Sequence, residues 1–118
     1  MKLIELAYFT DNVQPMADFY RSLLNTEPVA KSDDMAIFMM GETKIFIHRK
    51  YPSSNGELPW IAKQFKNHIA FAVQNVDATC KALMKQGLTL EVAPKDYYWE
   101  RSAYLRDPDR HLVEITTS

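Results

Sequence analysis

The feature that most constrains this chain is a stretch written twice. Glu5-Leu6-Ala7-Tyr8-Phe9-Thr10-Asp11-Asn12-Val13 lies without gaps over His68-Ile69-Ala70-Phe71-Ala72-Val73-Gln74-Asn75-Val76. Ala7 falls on Ala70, Tyr8 on Phe71, Asn12 on Asn75 and Val13 on Val76, and the match runs on to Val29 over Val92. Each copy reads as a strand with period-two alternation that ends at an Asn and opens a helix. In the second copy Ile69, Phe71 and Val73 make a bulky apolar face suited to covering by helices. The opposite face carries His68 above Ala70 and Ala72, an imidazole beside two small side chains, which leaves space for something else.

The rest of the pattern completes two similar units. In the first, a strand from about Leu3 to Thr10 is followed by a helix with Asn12 as N-cap and Pro15 in its first turn, where a missing N–H costs little. Val13, Met16, Tyr20, Leu23 and Leu24 recur at helical spacing, and the helix stops near Asn25. Three short strands follow, at about Pro28 to Ala30, Met35 to Met40 and Thr43 to Arg49, with turns at Asp33-Asp34 and Gly41-Glu42. Met35, Met39 and Met40 read as core filler. In the second unit Asn75 caps a helix with Asp77 in its first turn, a stripe of Val76, Cys80 and Leu83, and Gly87 as its C′ residue. Strands are expected at about Thr89 to Ala93, Arg101 to Arg106 and His111 to Thr116, the last two joined by a turn at Asp107-Pro108-Asp109-Arg110. The order is βαβββ, linker, βαβββ, an α+β chain in one domain (residues 1–118). Its first module covers about residues 1–50, a Pro- and Ser-rich linker or lid about 51–66, and its second module about 67–118.

Composition narrows the class. At 118 residues the chain is long enough for a real core, and 47% hydrophobic with 25% charged residues is an ordinary globular balance. A formal net charge of −1 argues against nucleic-acid and membrane partners and favours a small ligand or another protein. The single cysteine, Cys80, has no internal partner and sits on an apolar helix face, so a buried thiol in a reducing compartment is expected. The sequence opens directly on a strand, without a signal-peptide pattern, and no apolar run approaches membrane length, so a soluble cytoplasmic protein is the expectation.

Several groups of residues now resemble one family: Asn12-Val13 with Phe19-Tyr20; Asn67-His68-Ile69-Ala70-Phe71-Ala72-Val73; and Ser102-Ala103-Tyr104-Leu105-Arg106-Asp107-Pro108-Asp109 closing on Val113-Glu114-Ile115. In that order, on a duplicated chain, they resemble the vicinal oxygen chelate (VOC) superfamily, the group of glyoxalase I, bleomycin-resistance proteins and extradiol dioxygenases. The resemblance covers essentially the whole chain. It implies that each βαβββ module curls into a half-barrel, that two modules enclose a cavity, and that the protein is a homodimer. It also implies one divalent metal ion (Ni, Zn, Mn or Fe), with ligand seats on the first and last strands of each module.

Carried over by position, those seats are Glu5, a residue on the Thr43–Arg49 strand, His68 and Glu114. Glu5 stands where the family usually has His. The symmetry that places Glu114 between Val113 and Ile115 places Phe46 between Ile45 and Ile47, and a phenyl ring ligates nothing; His48, two residues on, shares that strand face and would serve only after a shift of register. The metal set is therefore His68, Glu114, Glu5 and, conditionally, His48. In glyoxalase-like lyase or isomerase chemistry a carboxylate ligand, here Glu114 or Glu5, doubles as the base that moves a proton beside a carbonyl. In dioxygenase chemistry the metal would bind a catechol and O₂. The bland reading pairs Glu5 with His68, and Glu114 with a neutralising partner, in a metal-free protein that sequesters a flat or cationic ligand, as in bleomycin resistance. Tyr97, Tyr98, Trp99, Tyr104 and Trp60 could line an aromatic slot for a planar ligand, with Phe46 a further pocket residue and Arg101 pairing an anionic group; subunit packing and a surface Arg are the plainer alternatives. Two turns depart from the family, with Glu100 and Arg110 where Gly is usual, so either those turns differ or they hold a side chain at positive φ.

Overall fold

The computed structural model describes residues 1–50 and 67–117. Their elements are β1 (Lys2–Thr10), α1 (Val13–Leu24), β2 (Ala30–Lys31), β3 (Met35–Met40), β4 (Thr43–Arg49), β5 (His68–Val73), α2 (Val76–Lys85), β6 (Leu90–Asp96), β7 (Arg101–Arg106) and β8 (Leu112–Thr117). The chain is α+β, as the duplicated pattern implies. The linker expected at about residues 51–66, with Trp60, lies outside the described residues. No helix among the described residues is long and apolar enough to cross a membrane.

The chain divides into two compact units, one of residues 6–67 and one of residues 1–5 together with 68–118. Strand order is β2-β3-β4-β1 in the first and β5-β8-β7-β6 in the second. Read from the first strand of each copy, this is one arrangement used twice: the opening strand lies beside the last, and the other two follow outward.

In the unit of residues 6–67, β3 pairs antiparallel with β2 and β4, with Ile37 opposite Phe46 and Met35 opposite His48. One sheet face gives Ala36, Phe38, Ile45 and Ile47 to a core with Val13 and Ala17 of α1, against which Tyr8, Met16, Tyr20 and Leu24 pack. The expected helical stripe is therefore real, but Leu23 is exposed, as are Met39 and Met40 at the turn end of β3. Those two methionines are not core filler: strand alternation carries Met39 to the face away from the helix, and Met40 ends β3 beside the exposed Gly41-Glu42 turn. The start of α1 also differs from expectation. Asn12 makes no side-chain cap; its N–H donates to Thr10 Oγ1 at 2.9 Å, while its carbonyl accepts from Met16 N–H at 3.1 Å. The helix ends where expected, with Asn25 in the left-handed region at φ 51°.

In the other unit, β5 pairs parallel with β8 (Ala70 opposite Glu114), and β8 pairs antiparallel with β7 (Tyr104 opposite Glu114, Ser102 opposite Thr116). Val76 and Cys80 of α2 join Ala103, Leu105 and Ile115 in a second core, flanked by Phe71, Val73, Leu83, Leu90 and Val113. The helix therefore covers the predicted bulky face of β5. Asn75 caps α2 as expected, its Oδ1 accepting from Ala78 N–H at 2.9 Å, and Gly87 follows the helix at φ 94°. Cys80 is buried, and burial, with the Asp77 carboxylate nearby, pushes its thiol up from the ordinary value. Strand β6 runs three residues beyond the expected Ala93, through Pro94 to Asp96; its pairing with β7 is broken by irregularities on both sides of Val92, which let a proline sit in the strand.

The two turns without glycine resolve differently. Arg110 adopts φ 72°, so this turn keeps the left-handed backbone and accepts the side chain, whereas Glu100 is not at positive φ. Around Arg110 the turn is closed by Arg110 N–H to Asp107 carbonyl at 2.8 Å and Asp107 N–H to His111 carbonyl at 3.0 Å.

Candidate metal centre

The face of β5, β7 and β8 turned away from α2 is polar at one place. Alternation puts His68, Ala70 and Ala72 of β5, Glu114 and Thr116 of β8, and Ser102 and Tyr104 of β7 on that side. Met1–Glu5 belongs to the same compact unit, and Glu5 brings a second carboxylate to His68. Nε2 of His68 lies 3.5 Å from Glu114 Oε1 and 3.7 Å from Glu5 Oε2. The side chains of Glu114, His68 and Glu5 are 6%, 9% and 17% exposed. Two acids and an imidazole are thus held together largely out of water, where each needs a partner of opposite character.

Glu114 is held by three donors. Its Oε2 accepts from Ser102 Oγ at 2.9 Å, from Tyr104 Oη at 2.9 Å and from Trp99 Nε1 at 3.2 Å. Ser102 and Thr116 hydroxyl oxygens are 2.8 Å apart. Ser102 has one proton and an ionised carboxylate only accepts, so Ser102 gives its proton to Glu114 and receives one from Thr116. Burial by itself would push the Glu114 carboxyl up. The hydrogen bond and charge interaction with His68, helped by the Ser102 and Tyr104 hydroxyls, outweigh it and hold the group below its ordinary value. Burial also raises the Tyr104 phenol, with the Glu114 charge adding to it, so this hydroxyl stays a donor.

These three residues pass the test of fit for a divalent ion. One donor atom from each of Glu5, His68 and Glu114 lies within 4.8 Å of the others, and this is the one such cluster among the described residues. Two metal–ligand bonds of about 2.1 Å at a tetrahedral angle place their donor atoms about 3.4 Å apart, close to the 3.5 and 3.7 Å found here. One nitrogen and two carboxylate oxygens also make a donor set that first-row divalent ions accept.

The other residues singled out in the sequence are placed as follows. His48 is not in the cluster; it sits on β4 in the other unit, Nδ1 2.6 Å from the Arg49 carbonyl oxygen, its ring beside Phe46 (5.5 Å) and Phe9 (5.8 Å). Phe46 meets Phe9 edge-on at 6.3 Å. Trp99 stacks on Tyr97 with ring centres 4.5 Å apart and planes 8° apart, and meets Tyr98 edge-on at 4.7 Å. Tyr98 is 92% exposed, whereas Tyr104 is buried. Arg101 is bound to Asp77 (Nε to Oδ2, 2.7 Å; Nη2 to Oδ1, 2.9 Å) and to Asp96 (3.0 Å), a fork that ties β7 to the first turn of α2. Ser102 was not singled out from the sequence. The signal was available: pairing the two strands across the 107–110 turn sets Tyr104 opposite Glu114, and Ser102 follows on the same face.

Comparison with known proteins adds the context. The description of the Glyoxalase/Bleomycin resistance protein/Dioxygenase superfamily matches residues 2–115. YraH of Bacillus subtilis (strain 168), an uncharacterized protein, is 30% identical, over 98% of this chain and 97% of its own length. The metallothiol transferase FosB of Shouchella clausii (strain KSM-K16) is 25% identical, over 95% of this chain and 77% of its own. A solved methylmalonyl-CoA epimerase of Streptomyces coelicolor, 18% identical, shares the fold with a TM-score of 0.69, over 100% of this chain and 94% of its own.

Proposed function

This chain belongs to the Glyoxalase/Bleomycin resistance protein/Dioxygenase superfamily, and from that premise we propose that it is a divalent-metal-dependent enzyme, a lyase or isomerase acting on a small oxygenated substrate. The observation that carries the reading is the convergence of Glu5, His68 and Glu114. These three would hold the ion, and when bound it would supply Lewis acidity toward a substrate oxygen. His68 contributes the nitrogen donor. Glu114, clamped by three donors, suits a fixed ligand. Glu5 is the more accessible carboxylate and the better situated to take a proton from a substrate carbon and return it. The name of the FosB relative makes transfer of a thiol a further reaction class to screen, and extradiol dioxygenation remains the oxidative alternative within the superfamily. Tyr98, Trp99 and Tyr104, in the same unit as the centre, remain proposed contributors to a ligand cavity. A cytoplasmic homodimer with neither nucleic-acid nor membrane partners completes the proposal.

One observation favours a metal-free binding protein as the second reading. His68 already lies within 3.7 Å of both carboxylates, so a protonated imidazole could neutralise much of the site without an ion. The deciding experiment measures metal content after purification without chelator, and uptake of Ni, Zn, Mn and ferrous iron, for the parent protein, His68→Ala and Glu114→Ala. About one ion per chain, lost in both variants, is expected. Failure to take up any of the four ions overturns the enzyme reading.

A further inference from the structure

Trp99 has the amphipathic character of a ligand platform, yet its polar atom is directed at a carboxylate. The indole Nε1–H is 3.2 Å from Glu114 Oε2, the same oxygen reached by Ser102 and Tyr104. A carboxylate oxygen has two lone pairs, so three donors leave Oε2 no capacity for a further bond. The other oxygen, Oε1, is the one facing His68. The indole is also held in place: Tyr97 stacks on its face, Tyr98 meets it edge-on, and Tyr97 in turn packs edge-on against Tyr104 at 6.0 Å.

We infer that Trp99 is a positioning residue for the metal centre, which with Ser102 and Tyr104 blocks Oε2 of Glu114 so that this carboxylate offers a single oxygen to the ion. The inference rests on the proposed metal site and deepens it: Glu114 would offer an ion Oε1 alone, and would leave room beside it for a substrate oxygen. A carboxylate freed to rotate could chelate through both oxygens, filling that room. The tyrosine–tryptophan group thus serves the inward side of the site in addition to any ligand outside.

The test has two arms. In metal-free protein the Trp99 indole N–H resonance, assigned by its loss in Trp99→Phe, should lie in the hydrogen-bonded range and move in Glu114→Gln. A resonance indifferent to Glu114→Gln refutes the contact whatever the metal result. In the second arm, Tyr104→Phe and the double variant Trp99→Phe/Tyr104→Phe, in which Ser102 alone of the three donors still reaches Oε2, are titrated with Mn²⁺ and Zn²⁺. Affinity should change about 10- to 100-fold with one ion per chain retained. The separation of the carboxylate stretching bands in the metal-loaded minus metal-free infrared spectrum should also narrow from the monodentate to the bidentate range. A fall in melting temperature with unchanged affinity and unchanged bands assigns Trp99 a packing role only and overturns the inference. If the parent protein binds neither ion, the metal reading itself fails, and the indole resonance still reports separately on the Trp99–Glu114 contact.

Discussion

Replacing Arg110 by glycine should make the protein more stable. Arg110 is held at φ 72°, where its Cβ crowds the backbone, and such a conformation costs a side-chain-bearing residue about 1–2 kcal/mol. Little is lost on the other side. The Arg110 guanidinium is mostly exposed and 3.8 Å from Glu91, an ion pair of the kind that contributes about 0–1 kcal/mol. The turn's hydrogen bonds use the Arg110 backbone, its N–H to Asp107 and its carbonyl from Arg106 Nη1 at 3.2 Å, and glycine keeps both. Glycine also gives the unfolded chain more freedom, which offsets about 0.5–1 kcal/mol. Strain relief less this entropy leaves Arg110→Gly about 0.5–1 kcal/mol more stable than Arg110→Ala, which loses the same ion pair, and about 0.3 kcal/mol more stable than the parent. With an unfolding entropy of about 2.1 cal/mol/K per residue over 118 residues, Arg110→Gly should melt about 2–4 °C above Arg110→Ala and about 1 °C above the parent. Calorimetry or urea unfolding of Arg110→Gly beside Arg110→Ala checks this. Alanine keeps the unfavourable φ while losing the ion pair, so it should be neutral or slightly destabilising. A glycine variant no more stable than the alanine variant would refute the strain argument.

Acid should weaken the fold partly through Glu114. Its carboxyl is held below the ordinary 4.5 in the folded state, so its contribution is complete above about that value and is lost as pH falls through the folded value. Stability of the parent protein measured between about pH 6 and 3 should therefore fall more steeply than that of Glu114→Gln; equal slopes would contradict it. Cys80, buried with its thiol pushed up, should react with a thiol reagent at neutral pH only as fast as the protein opens, and rapid labelling of folded protein would show the packing of α2 to be wrong.

The elements that were legible in the sequence are those fixed by short-range pattern. Alternation in His68–Val73 told which face meets a helix, because a period of two leaves no other choice once Ile69, Phe71 and Val73 are apolar. Asn75 and Gly87 were legible for the same local reason. Asn12, the partner of Asn75 in the duplication, lacks the cap for a reason that the duplication hides: Asn75 accepts from the Ala78 N–H, and the matching residue in the first copy is Pro15, which has no N–H to give. Met39 and Met40 are exposed at the end of β3 beside the exposed 41–42 turn, a placement that their apolar character does not reveal. At the site, Glu5, His68 and Glu114 followed from the family resemblance, whereas the direction of the Trp99 indole depends on how the 97–100 turn lays one ring on another. No periodicity in the sequence specifies that.

The grouping of residues 1–5 with residues 68–118 has a consequence for how this protein folds. Glu5 lies 63 residues before His68 and 109 before Glu114, so the donors of the centre come from distant parts of the sequence. The beginning of β1 can bring its carboxylate to them only once β5 and β8 have paired. Closing so long a loop makes the centre a late event of folding and a sensitive reporter of its completion. A partly folded chain could hold α1 on its strands and still lack an assembled Glu–His–Glu centre.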